Sequence, residues 1–159
     1  MYTEILTLAT QLFCKEDHPA IRKALRDCLV HLTKVYIYDD SIQAFAIVCS
    51  NENPLIATIA FCGVSPLLQG KGIGSKLLKE TISGIFHAGF TSCQLIVDDW
   101  NIGARKLYEK LGFKPIGSIL DDHTIGTLMQ LDNSEKLIEI LPRHIDNPKN
   151  GFPSISCKV

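Results

Sequence analysis

The residues of this 159-residue chain best suited to chemistry cluster in "QGKGIG", where Gly70, Gly72 and Gly74 stand directly ahead of the helical pattern "SKLLKETI". Glycines at the mouth of a helix let the backbone approach a ligand closely, and the free N–H groups and positive dipole end found there bind phosphate. ATP, a dinucleotide and a coenzyme A pyrophosphate are the ligands to weigh. An ATP loop needs GxxxxGK followed by Ser or Thr, so that the hydroxyl reaches magnesium. Here Lys71 precedes Gly72 and position 65 is serine, so the required parts are missing. A dinucleotide turn needs GxGxxG and an acid about 20 residues further on. The segment reads GxGxG with Ser75 in the sixth place, and Asp98 and Asp99 arrive late, which weakens that reading without removing it.

Other chemistries find less support. Cys14, Cys28, Cys49, Cys62, Cys93 and Cys157 are scattered and form no CxxC pair, and His18, His31, His87, His123 and His144 show no ligand spacing with them. A disulfide framework and a metal site are therefore not expected, and free thiols in a reducing cytoplasm are. The net charge of -1 and the lack of any Lys/Arg run offer no attraction to nucleic acid or to an anionic membrane. "MYTEILTLATQLF" lacks a basic n-region and a cleavage site, and no uncharged apolar stretch reaches the ~18 residues of a spanning helix. The expectation is a soluble, cytoplasmic protein.

The elements that must hold the glycines follow from periodicity. Ile5, Leu8, Leu12 and Phe13, then Ile21, Leu25, Cys28, Leu29 and Leu32, recur at three- and four-residue steps and predict two helices, with Pro19 at the start of the second. "VYIYD", "QAFAIVCS" and "LIATIAFCGV" read as an antiparallel meander. A helix is predicted over 72–87, stopped by Gly89, and "SCQLIVDD" reads as a strand buried on both faces. Asn101 caps a further helix that Gly112 ends, and two strands, 113–120 and 125–131, close the sheet. The order ααβββαβαββ is that of an α/β (α+β) fold, a mixed β-sheet flanked by helices. Residues 1–132 form the predicted domain, and 133–159 an extension of one short helix followed by an extended tail.

Gln69, Gly72 and Gly74, after one strand and before a long helix, resemble motif A of the GNAT N-acetyltransferase superfamily, whose glycines wrap main-chain amides around the pyrophosphate of acetyl-CoA. "NIGARKLYEKLGF", Asn101 to Phe113, resembles motif B of the same superfamily. The two together are far more specific than either alone, and the resemblance runs from about Val35 to Leu131.

Acetyl-CoA as co-substrate, no metal, and transfer of its acetyl group to a primary amine of a small molecule or peptide are what the resemblance implies. On it, Gln69, Gly70, Lys71, Gly72, Ile73, Gly74 and Ser75 hold the pyrophosphate. The main chain of Cys62, Gly63 and Val64 pairs with the pantetheine arm, and an amide there, that of Val64 first, polarises the thioester. Tyr108 falls on the motif's tyrosine and protonates the leaving thiolate, while Asn101 is both helix cap and pantetheine contact. The two glutamates that serve as base in family members correspond to Thr58 and Ile96, so neither is present. Asp98 is the best remaining side chain, with Asp39, Asp40 and Glu52 as rivals and relayed water as an alternative.

Two departures stand out. Members usually begin with a strand before the first helix, and that strand is missing here. At the other end "SISCKV" alternates like a strand and is a candidate to pair with an open sheet edge, within the chain or across a homodimer. The lost bases leave a second function class open, a non-catalytic acyl-CoA-binding or regulatory domain.

Overall fold

The computed structural model describes residues 2–38, 40–120 and 125–133. Helix α1 (Tyr2–Leu12) and helix α2 (His18–Asp27) are joined through a 3-10 turn at Lys15–Asp17. Helix α1 buries Ile5, Leu8 and Ala9 and α2 buries Ile21, Ala24 and Leu25, but α2 stops at Asp27, so Cys28, Leu29 and Leu32 of the expected helical period lie past its end, with Cys28 already extended. Pro19 occupies the first turn of α2, where a missing N–H breaks no helical bond.

Strands β1 (Lys34–Tyr38), β2 (Ser41–Ser50) and β3 (Ile56–Val64) form the expected antiparallel meander. Helix α3 (Ile73–His87) carries the chain over to β4 (Ser92–Asp98), which lies parallel to β3. Helix α4 (Ile102–Lys110) leads to the antiparallel pair β5 (Lys114–Leu120) and β6 (Ile125–Asp132). The sheet order is β1-β2-β3-β4-β6-β5, a mixed six-stranded sheet in the element order the sequence implies. Among the described residues no strand precedes α1. Asp39 and residues 134–159, with the expected tail and its edge pairing, lie outside them.

The two faces of the sheet take different helices. Leu12 of α1 lies so close to Gly63 that a Cβ there would stand 2.6 Å from its Cδ1, so the bare glycine lets the end of α1 rest directly on β3. Val64, the next residue and so on the opposite face, meets α3, with its Cγ2 3.3 Å from where a Cβ on Gly74 would stand. On β4, Cys93 neighbours Tyr108 of α4. Gln94 points the other way into a polar row with Asn51, Thr58 and Gln130. Cys49, paired with Thr58, sends its thiol to Ala24 of α2, so this polar row shares a face with α1 and α2. Helices α3 and α4 cover the other.

Candidate active site

The sheet is split in its middle. β3 and β4 pair only at Ile56↔Ser92, Ala57↔Cys93 and Thr58↔Gln94. Beyond them β3 runs on to Val64 against β2, and β4 to Asp98 against β6, with no pairing between the two. The cause is local. Ile47 pairs with Phe61 and Val48 with Ile59, which leaves Ala60 as an extra, bulged residue just past the last β3–β4 pair. A bulge bends its strand and increases its twist, so β3 turns away from β4 where pairing stops.

Register decides which main-chain groups of β3 face the split. The Ser65 N–H donates to the Gln43 carbonyl at 2.7 Å, which marks Ala44↔Val64 as a pair without mutual hydrogen bonds. The polar groups of Val64, and by alternation those of Cys62, therefore turn away from β2 into the split. Gly63 spends its own on Phe45. The Val64 carbonyl accepts from the Gln69 side-chain amide at 3.0 Å, which ties the glycine loop to the end of the strand.

A cavity of about 890 Å³ fills the split. One end is the N-terminus of α3, lined by Gln69, Gly70, Gly72, Ile73, Gly74 and Ser75. Gly70 and Gly72 adopt φ of 72° and 79°, left-handed values that turn the loop tightly into the helix. Gly72 is the N-cap and has no side chain to give, so the first N–H groups of α3 are left for a ligand. Lys71 is exposed and is not part of the lining.

The β4 side contributes Asp98, Trp100 and Asn101. Asn101 caps α4, its Oδ1 accepting from the Ala104 N–H at 3.1 Å. Asp98 is 9% exposed and lines the cavity at the end of β4. Asp40 and Glu52 are exposed and away from the lining. At the positions of the absent glutamates, Thr58 accepts from Asn51 at 3.0 Å and Ile96 is 43% exposed.

Tyr108 is 3% exposed, its ring stacked edge-on against Phe113 at 5.8 Å. It is absent from the lining, which takes Gly103, Ala104 and Leu107 of the same helix. Among the described residues no hydrogen bond reaches its hydroxyl, and no side-chain polar atom is sealed off without a partner. Burial pushes its pKa well above the ordinary value, with the nearby Asp98 carboxylate acting in the same direction. It stays protonated, with its O–H proton available to donate.

Sequence reasoning missed the wall opposite. Leu12, Phe13, Cys14 and Asp17, from the end of α1 and the turn before α2, line the cavity. The Cys14 thiol donates to Asp17 at 3.1 Å, and that carboxylate raises the thiol's pKa. Trp100, the sole tryptophan, is 77% exposed at the rim. Its place one residue past "DD" at a strand end was the one available signal; Asp17 had none. Cys14, Cys28, Cys49 and Cys93 are free thiols. Cys62, buried in the β3 wall, is disulfide-bonded. That corrects the expectation of free thiols throughout, since distance along the chain does not set distance in space.

A mixed sheet opened between two parallel strands, with a glycine-lined helix end at the opening, has the architecture of an N-acetyltransferase fold. The acetyltransferase (GNAT) family model matches residues 2–113, and the chain belongs to that family. Mycothiol acetyltransferase of Kocuria rhizophila is 35% identical over 65 residues, 41% of this chain and 22% of that protein. Ribosomal protein bS18-alanine N-acetyltransferase of Haemophilus ducreyi is 34% identical over 86 residues, 54% of this chain and 58% of that one. The chain thus spans less than two thirds of these curated relatives. Among solved structures, Arabidopsis thaliana Naa50 in complex with the bisubstrate analogue CoA-Ac-MVNAL aligns with a TM-score of 0.69 at 21% identity, over 82% of this chain and 91% of that one. At that identity the likeness is one of fold.

Proposed function

We propose that the protein transfers the acetyl group of acetyl-CoA to a primary amine of a small molecule or peptide, by direct attack of the amine on the thioester. The observation that carries this reading is the β3–β4 split, with the Val64 amide turned into it and the uncapped end of α3 at its mouth. The α3 amides suit a diphosphate, and the exposed Lys71 adds charge beside them. The main chain of Val64, turned away from β2, offers an extended arm the place that β4 no longer fills. An amide donor placed where charge develops on the thioester oxygen contributes about 10²- to 10³-fold in rate.

The acceptor enters on the α1–α2 side, where Asp17 and Asp98 line the cavity with Phe13 and Trp100. Two carboxylates there favour an acceptor carrying positive charge, and Asp98 takes the proton that the ammonium must lose before attack. Tyr108 gives the departing thiolate its proton. The names of the relatives, a mycothiol acetyltransferase and a ribosomal protein bS18-alanine N-acetyltransferase, agree with a small-molecule or a peptide acceptor.

Release of coenzyme A thiol from acetyl-CoA with a panel of amines and short peptides tests this. Amine-dependent release, saturable in both substrates, is expected. The missing glutamates at Thr58 and Ile96 favour a second reading, an acyl-CoA-binding domain without turnover. A melting-temperature rise with acetyl-CoA but no amine-dependent thiol release across the panel would put it in place of the first.

A further inference from the structure

We propose that Cys28 and Cys49 are a disulfide-forming pair that fastens the end of α2 to the sheet on oxidation. The two residues face each other across an isolated antiparallel bridge, where the chain leaving α2 runs beside the edge of β2. The Leu29 N–H donates to the Val48 carbonyl at 2.7 Å, the bond that flanks a bridge whose own two residues exchange none. Cα atoms in such a pair stand about 4.5 Å apart with their side chains on one face, inside the roughly 4.4–6.8 Å that a disulfide spans.

The sulfurs converge as well. Cys28 Sγ donates to the Leu25 carbonyl at 3.4 Å and Cys49 Sγ to the Ala24 carbonyl at 3.7 Å, two adjacent acceptors in the last turn of α2. Both residues are partly exposed free thiols. Neither lines the cavity, and nothing in acetyl transfer calls on them. Burial, and then the neighbouring Cys28, push the Cys49 thiol up to about 11, which makes Cys49 a poor first nucleophile at neutral pH.

With a small-molecule disulfide RSSR as oxidant, the Cys28 thiolate attacks one sulfur, forms a mixed disulfide and expels RS⁻. Cys49 then loses its proton, attacks Cys28 Sγ and expels the second RS⁻. Two protein thiols are oxidised, and RSSR is reduced to two RSH. The new bond closes the loop from 28 to 49 that includes β1, and holds α2, whose other end presents Asp17 to the cavity.

Incubation of the full chain with oxidised glutathione, followed by alkylation and non-reducing peptide mapping, tests the pair. Expected are a peptide linked through Cys28 and Cys49, loss of alkylation at both, and a melting temperature raised by roughly 5 °C or more. Dithiothreitol should reverse all three, and Cys28→Ser or Cys49→Ser should abolish the linked peptide and the melting shift. Both thiols still alkylated in the oxidised wild-type protein, or glutathione retained on Cys28 with Cys49 free, would overturn the proposal. The mapping is read on the wild-type chain, so it stands even if a variant folds poorly.

Discussion

Tyr108 is a buried phenol packed against Phe113, and whether it is catalytic or only packing is a question about its hydroxyl alone. Phe at this position keeps the contact with Phe113 and removes a hydroxyl that makes no hydrogen bond among the described residues, so stability should stay within about 0.5 kcal/mol. If the phenol protonates the leaving thiolate, turnover of Tyr108→Phe falls by roughly 10²-fold or more while acetyl-CoA affinity holds. Unchanged turnover in a steady-state assay would return Tyr108 to the core. Asp17→Asn tests the other wall: KM for a cationic amine should rise several-fold while that for acetyl-CoA does not change. These two residues also mark the limits of reading a sequence. Tyr108 could be found because it stands in a motif with fixed spacing. Asp17 could not, because the packing of Leu12 on Gly63 and of Phe13 against Phe45 carries the turn after α1 to the cavity.

At the scale of elements the decisive feature is a strand that changes partners. Helices and strands were legible from period and caps, down to Asn101 as the N-cap of α4, because those signals are local. The split was not, since a bulge is a mismatch of register between two strands and Ala60 has no composition that announces it. Removing the bulge should therefore act on the cleft before the core. Deleting Ala60 restores regular alternation, with Phe61 still on the face of Ile47 and Ile59 still on that of Val48. β3 and β4 then continue pairing past Thr58 and Gln94, and the ladder offered to an extended ligand is consumed. The expected outcome is a cooperatively folded protein that acetyl-CoA no longer stabilises in a thermal-shift assay. A retained shift would place the origin of the split elsewhere. Asn101→Ala should cost about 1 kcal/mol in denaturant unfolding, the usual loss for an N-cap, with the split intact.

Across the whole molecule, the same packing that shapes the cleft stores acids in their neutral form. Cys93 and Tyr108 are buried between the sheet and α4, and burial raises both well above their ordinary values, 9.0 and 10.0. Cys49, on the other face, is raised from 9.0 to about 11. In the unfolded chain these groups lose their protons near the ordinary values, whereas in the folded protein they keep them. Their stabilising contribution is therefore complete below pH 9 and shrinks as pH climbs, for Cys49 across the interval from 9.0 to about 11. Each fully buried group can add a slope of up to about 1.4 kcal/mol per pH unit once the unfolded chain ionises. Urea unfolding followed from about pH 8 to 10.5 should show a steepening loss of stability. Tyr108→Phe removes one titrating group without opening a cavity, so its curve should run flatter than wild type above about pH 10. Parallel curves would mean that the phenol ionises as readily folded as unfolded, and so that its hydroxyl stands in water and not in the buried layer between the sheet and α4.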